Sequence, residues 1–224
     1  MGMDFRDARQ KMVDNQIRTT DVTSHPVLKA FLSVPREAFV PTRLKQLAYI
    51  DADLEIRSAD AAAPARYLME ASPLAKLLQL AAINKKELVL EIGAGSGYVS
   101  ALLSILAGSV VAVESDPNLA QSASDVLSAN GYDNVAVVTG PLEAGYPAEA
   151  PYDVIFLSGA VEEVPQALLS QLRDGGRLVT VVGSGPAARA EVMVRDGATV
   201  SGRPSFNASV KMLPGFEKKA EFVF

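Results

Sequence analysis

The stretch that most constrains this chain is Leu88-Val89-Leu90-Glu91-Ile92-Gly93-Ala94-Gly95-Ser96-Gly97-Tyr98-Val99-Ser100. An apolar run ends in alternating glycines, and an apolar segment of helical character follows, which reads as buried parallel strand, tight turn and helix. Glycine lacks a Cβ, so such a turn bends sharply and lets its backbone approach a ligand. The helix expected from about Tyr98 turns its unpaired N–H groups and the positive end of its dipole toward the turn. A polar or anionic ligand is the expected occupant.

The pattern around the turn is an alternation of strands and helices. Strands are expected near 87–92, 109–114, 134–139, 152–158 and 176–182, and helices near 98–107, 117–129 and 164–173. A further helix is expected over Pro73 to Ala82, with proline in its first turn. This spacing predicts a Rossmann-like α/β fold, a doubly wound and mostly parallel sheet. After Gly183, apolar runs flank Asp196-Gly197, a hairpin dipeptide, so antiparallel strands are expected at the sheet edge, with Glu221 to Phe224 last. Residues 1–72 read as an N-terminal helical extension and flap, containing a low-complexity connector at 57–65 expected to be mobile. Residues 73–224 read as the ligand-binding core, with no internal repeat and no second core.

Composition narrows the chemistry. The chain of 224 residues has a formal charge of -5, which argues against a general nucleic-acid binder. Arg36, Arg43 and Lys45 are the nearest approach to a basic patch. With no Cys and one His, His25, cysteine nucleophiles, thiolate metal sites and two-histidine sites are excluded, and no metal centre is expected. No stretch is apolar for long enough to span a bilayer, and Met1 to Gln16 carry no signal-peptide core. A soluble, cytoplasmic protein is expected.

Dinucleotide-binding turns read G-x-G-x-x-G. Here the third glycine comes one position early, and Glu91 stands two places before the first. The form Glu91-x-Gly93-Ala94-Gly95-x-Gly97 resembles motif I of class I S-adenosylmethionine-dependent methyltransferases, whose ligand at this turn is an amino-acid sulfonium without a pyrophosphate. A nearby carboxylate suits its ammonium group. Val110 to Glu114 is a strand ending in an acid about twenty residues beyond the first glycine, the place where a carboxylate accepts from ribose hydroxyls. Ser115 follows it. The turn after the strand Val135 to Thr139, with Leu142 and Glu143, is expected to approach the adenine, and Ser158 lies where the strand from Tyr152 reaches the cleft.

Four further blocks carry a narrower resemblance: Gln16-Ile17, Pro35-Arg36-Glu37-Ala38-Phe39-Val40-Pro41, Ala48-Tyr49-Ile50-Asp51, and Pro151 to Val182 with Glu163-Val164-Pro165 inside it. Together they resemble the protein-L-isoaspartate O-methyltransferase family over most of residues 12–183. The resemblance implies methyl transfer from S-adenosyl-L-methionine to the α-carboxylate of isoaspartyl residues, a repair of damaged proteins. It also implies a peptide or protein acceptor, with a small-molecule carboxylate as the alternative. No membrane or nucleic-acid partner is expected, and the pattern is silent on oligomeric state. Two departures stand out. The family's active-site serine segment, Thr/Ser-Ile-Ser-x-Pro, is replaced by Ala65 to Pro73, so no serine role passes to Ser72 and the catalytic residues are unassigned. Pro141 stands where the family tends to have an aspartate contacting the adenine side. A cofactor-binding relative without catalysis is therefore a further alternative. Carboxylate methylation itself asks for no catalytic His or Cys, because the nucleophile is ionised at pH 7.

Overall fold

The computed structural model describes residues 3–61 and 63–217. A helical N-terminal region comes first. Helix α1 (Phe5–Met12) is capped by the Asp4 side chain and continues through a π-helical turn to Ile17. Helix α2 (His25–Ser33) has Pro26 in its first turn. Between the Pro35–Pro41 turn and helix α3 (Ala71–Ala81), two strands absent from the sequence expectation, β1 (Leu54–Arg57) and β2 (Arg66–Leu68), pair as an antiparallel hairpin. They flank the connector that was expected to be a free loop. The Leu-Glu-Ile-Arg alternation of β1 is matched by alternating burial, as a half-buried strand requires.

The core sheet follows the expected alternation. Strands β3 (Leu88–Ile92), β4 (Ser109–Glu114), β5 (Val135–Thr139), β6 (Tyr152–Val161) and β7 (Leu172–Val182) run parallel. Helices α4 (Tyr98–Leu106) and α5 (Pro117–Ala129) connect the first three. Strands β8 (Arg189–Asp196) and β9 (Thr199–Asn207) add antiparallel, turning at Gly197 with φ +59. Among the described residues the strand order is β5-β4-β3-β6-β7-β8-β9. The fold is thus a Rossmann-like α/β sheet, mostly parallel with an antiparallel edge. The chain moves outward from β3 in one direction and returns for β6 on the other side, so the switch point, where such sheets bind ligands, lies above β3 and β6. The expected strand at 221–224 lies outside the described residues.

One expected element is corrected. The helix expected over 164–173 shrinks to α6 (Gln166–Leu169). Gln171 accounts for this: its side chain accepts from Tyr146 N–H at 2.9 Å and donates to Ala144 O at 2.8 Å, which pulls the chain into β7. Arg36, one of the three residues nearest to forming a basic patch, is fully buried. Its Nε donates to Ala48 O at 2.8 Å and its Nη2 to Met69 O at 2.7 Å, while its guanidinium lies 4.8 Å from the Tyr98 ring centre. Arg36 ties the proline-bounded turn to the core; burial lowers its pKa from the ordinary value.

Candidate functional site

The glycine turn sits at the carboxyl end of β3, at the switch point. Gly93, Gly95 and Gly97 all have positive φ, +85, +56 and +86, a region that side chains with a Cβ rarely enter. Four amides of the turn are committed internally. Gly93 and Ala94 N–H donate to Val113 O at 2.9 and 3.1 Å, Gly97 N–H to Ala94 O at 2.9 Å, and Gly95 N–H to Glu114 Oε2 at 2.7 Å.

Glu91 is fully buried beneath the turn, accepting from Ser158 Oγ at 2.8 Å and from Ser100 Oγ. Burial, against the pull of the two serine hydroxyls, pushes its pKa up to about 7. Ser158 thereby joins Glu91 across β3 and β6, two residues beyond Phe156, which pairs with Glu91.

Glu114, also fully buried, ends β4. Besides Gly95, the N–H groups of Ser115 and Asp116 donate to it at 2.8 and 3.0 Å. Ser115 Oγ donates to Oε1 at 3.3 Å, and Arg66 of β2 grips Oε1 and Oε2 with Nη1 and Nη2 as a two-pronged ion pair, the second prong at 2.8 Å. A second arginine from the hairpin, Arg57, reaches Asp116 Oδ2 at 2.6 Å. The two carboxylates at the carboxyl end of β4 are therefore both held by hairpin arginines. Sequence reasoning missed this contact; the period-two pattern of residues 54–57 was the available signal for the hairpin.

A C-terminal segment covers the rest of the cleft. Lys211 O accepts from Ala160 N–H, and Leu213 N–H donates to Ala160 O, both at 2.9 Å, while Phe216 O accepts from Glu162 N–H at 3.2 Å. Leu213 packs so closely that a Cβ added at Gly93 or Gly159 would stand 2.6 or 2.7 Å from its side chain. A Cβ at Gly95 would stand 3.1 Å from Ile56 of β1. Leu142 is buried with Phe216, and Glu143 is exposed, its carboxylate beside Gly215. Ser115 lines a cleft of about 570 Å³ outside the arginines, with Arg57, Asp116 and Pro214. Ser72 faces the N-terminal helices instead, 3.1 Å from Thr20 Oγ1.

The chemistry of these groups suits S-adenosylmethionine: a carboxylate at the ribose position, another beneath the turn, and glycines that admit close approach. The space does not. Between Arg66, Ser158, Gly159 and Leu213 the cavity measures about 20 Å³, room for roughly one water. Ligand pockets run to roughly 300 Å³ or more. As folded here, the space between Arg66, Ser158 and Leu213 does not admit the cofactor, while a separate, larger cleft opens beside Ser115 and Asp116.

The sheet order, the glycine turn and the acid at the end of β4 define a class I methyltransferase. A family model described as protein-L-isoaspartate (D-aspartate) O-methyltransferase matches residues 7–213. This chain is 40% identical to a protein-L-isoaspartate O-methyltransferase of Methanoculleus marisnigri over 178 residues, 80% of this chain and 78% of that one. It is 37% identical to protein-L-isoaspartate O-methyltransferase 1 of Rhodopseudomonas palustris over 210 residues, 94% of this chain and 83% of the relative. A solved protein-L-isoaspartate O-methyltransferase superposes with a TM-score of 0.80 at 28% identity, covering 92% of this chain and 66% of that longer one. A Plasmodium falciparum protein solved with S-adenosyl-L-homocysteine shares the fold, with a TM-score of 0.75 at 14% identity over 95% of this chain and 99% of that one. The chain belongs to the protein-L-isoaspartate O-methyltransferase family, whose members use S-adenosylmethionine. No helix among the described residues is long and apolar enough to cross a membrane.

Proposed function

We propose that this protein is an S-adenosylmethionine-dependent carboxylate O-methyltransferase acting on isoaspartyl residues of peptides and proteins in the cytoplasm. The observation that carries this reading is the family match across residues 7–213. In an open form of the cleft, Glu91, Gly93, Ala94, Gly95, Gly97, Glu114, Ser115, Leu142, Glu143 and Ser158 line the cofactor pocket, and residues 1–72 form the helical extension and flap beside a cofactor-binding core of residues 73–224. The acceptor carboxylate is ionised at neutral pH, so the chain's task is to hold it in line and exclude water, with no proton to remove.

Purified full-length protein with labelled S-adenosylmethionine is expected to label an isoaspartyl peptide and spare its aspartyl counterpart. Equal, absent or nonspecific labelling would sink the acceptor assignment, and a panel of small carboxylates would then locate another. A second reading, a cofactor-binding relative without transfer, is favoured by the replaced serine segment, within which Ser72 faces Thr20 rather than the cleft. Binding of S-adenosylhomocysteine with no labelling of any acceptor would select it.

A further inference from the structure

Both arginines of the β1–β2 hairpin end on the carboxylates that follow β4, and this is not how a hairpin merely stacked on a surface would sit. Arg66 is 6% exposed and Glu114 fully buried, so the pair is desolvated. Its two-pronged geometry saturates the carboxylate, which also takes three backbone N–H groups. A ribose asking for the same oxygens meets a competitor already in place. Leu213 independently occupies the face of Gly93, and its segment is hydrogen-bonded to the end of β6.

We infer that the protein carries its own gate over the cofactor pocket: Arg66 stands on Glu114 in the place of a ribose, Leu213 stands on Gly93, and the cofactor enters only when both segments withdraw. The inference rests on the proposed cofactor. It makes the closed form the resting state, and it makes affinity for the cofactor a measure of how readily the hairpin and the 211–216 segment release. Binding is weakened by the fraction of molecules that are closed, so removing the competitor tightens it with no new contact to the ligand.

The test is calorimetric titration of the full chain with S-adenosylhomocysteine, wild type against Arg66→Ala. Glu114 keeps its donors from Gly95, Ser115 and Asp116 in the variant, and thermal melting checks that the fold persists. Arg66→Ala is expected to bind at least tenfold more tightly than wild type. Equal affinities within about twofold would overturn the gate while leaving the methyltransferase reading intact. Failure of both folded proteins to bind would overturn both. Hydrogen exchange on the wild type gives a readout that needs no variant. Saturating S-adenosylhomocysteine is expected to speed exchange at the amides of Ala160, Glu162 and Leu213, whose bonds hold the segment closed; slowed or unchanged exchange there would overturn the gate.

Discussion

Glu91 shows how one side chain couples the site to stability. Its carboxyl has an ordinary pKa of 4.5 and is pushed up to about 7 in the folded chain, principally by burial. The folded state therefore holds a proton that the unfolded state has released across this range. Its contribution is fully present below about pH 4.5 and is lost as pH rises through about 7, an effect on the order of 3 kcal/mol. Glu91→Gln, which cannot ionise, is expected to remove most of the stability loss between pH 5 and pH 8. Urea denaturation of both proteins at the two pH values checks this; parallel pH dependences would contradict it. Glu91 was legible in the sequence from its place before the glycines. Its proton affinity was not, because desolvation depends on Ser100, Ser158 and the sheet closing around it.

At the scale of elements, Gly97 in the turn between β3 and α4 and Gly131 after α5 show packing and backbone conformation constraining a glycine differently. Gly97 and Gly131 both have positive φ, +86 and +75, but a Cβ at Gly97 would stand 3.2 Å from Ala123 and Leu127 of α5, whereas one at Gly131 would meet nothing within 4 Å. Gly131→Ala is expected to cost about 1 kcal/mol for the left-handed conformation alone. Gly97→Ala is expected to cost about 1–3 kcal/mol more from overpacking against α5. Equal midpoint shifts in urea for the two variants would refute this ordering. The strands were readable because parallel strands buried on both faces are near-continuous apolar runs; their order, and with it the switch point, was not. The hairpin β1–β2 was obscured by its alanine-rich connector, and α6 was overestimated because Gln171 reads as a helix former until its contacts with Ala144 and Tyr146 are known.

For the whole molecule, the N-terminal helices and the sheet share one core. Met12, Ile17 and Phe31 belong to the same buried cluster as Leu74, Leu102, Phe156 and Val181. Arg36 reinforces the union by bonding the backbone at Ala48 and Met69. The chain is therefore expected to unfold in a single cooperative transition, with near-UV and far-UV circular dichroism giving coincident curves in urea. A fragment of residues 73–224 is expected to lose the near-UV signal, since it would expose the apolar face that α1 and α2 cover. Two separated transitions, or a native-like fragment, would show instead that the core stands alone.

The sequence by itself determined the strand–helix alternation of a mostly parallel sheet, the glycine turn, the acids at 91 and 114 and the family, because each rests on local periodicity or on residues close together along the chain. Only the tertiary structure decided what those acids hold. Arg66 lies 48 residues from Glu114, and Leu213 lies 120 from Gly93. No periodicity or motif links such positions; only folding brings those side chains to the glycine turn and to the acid at the end of β4.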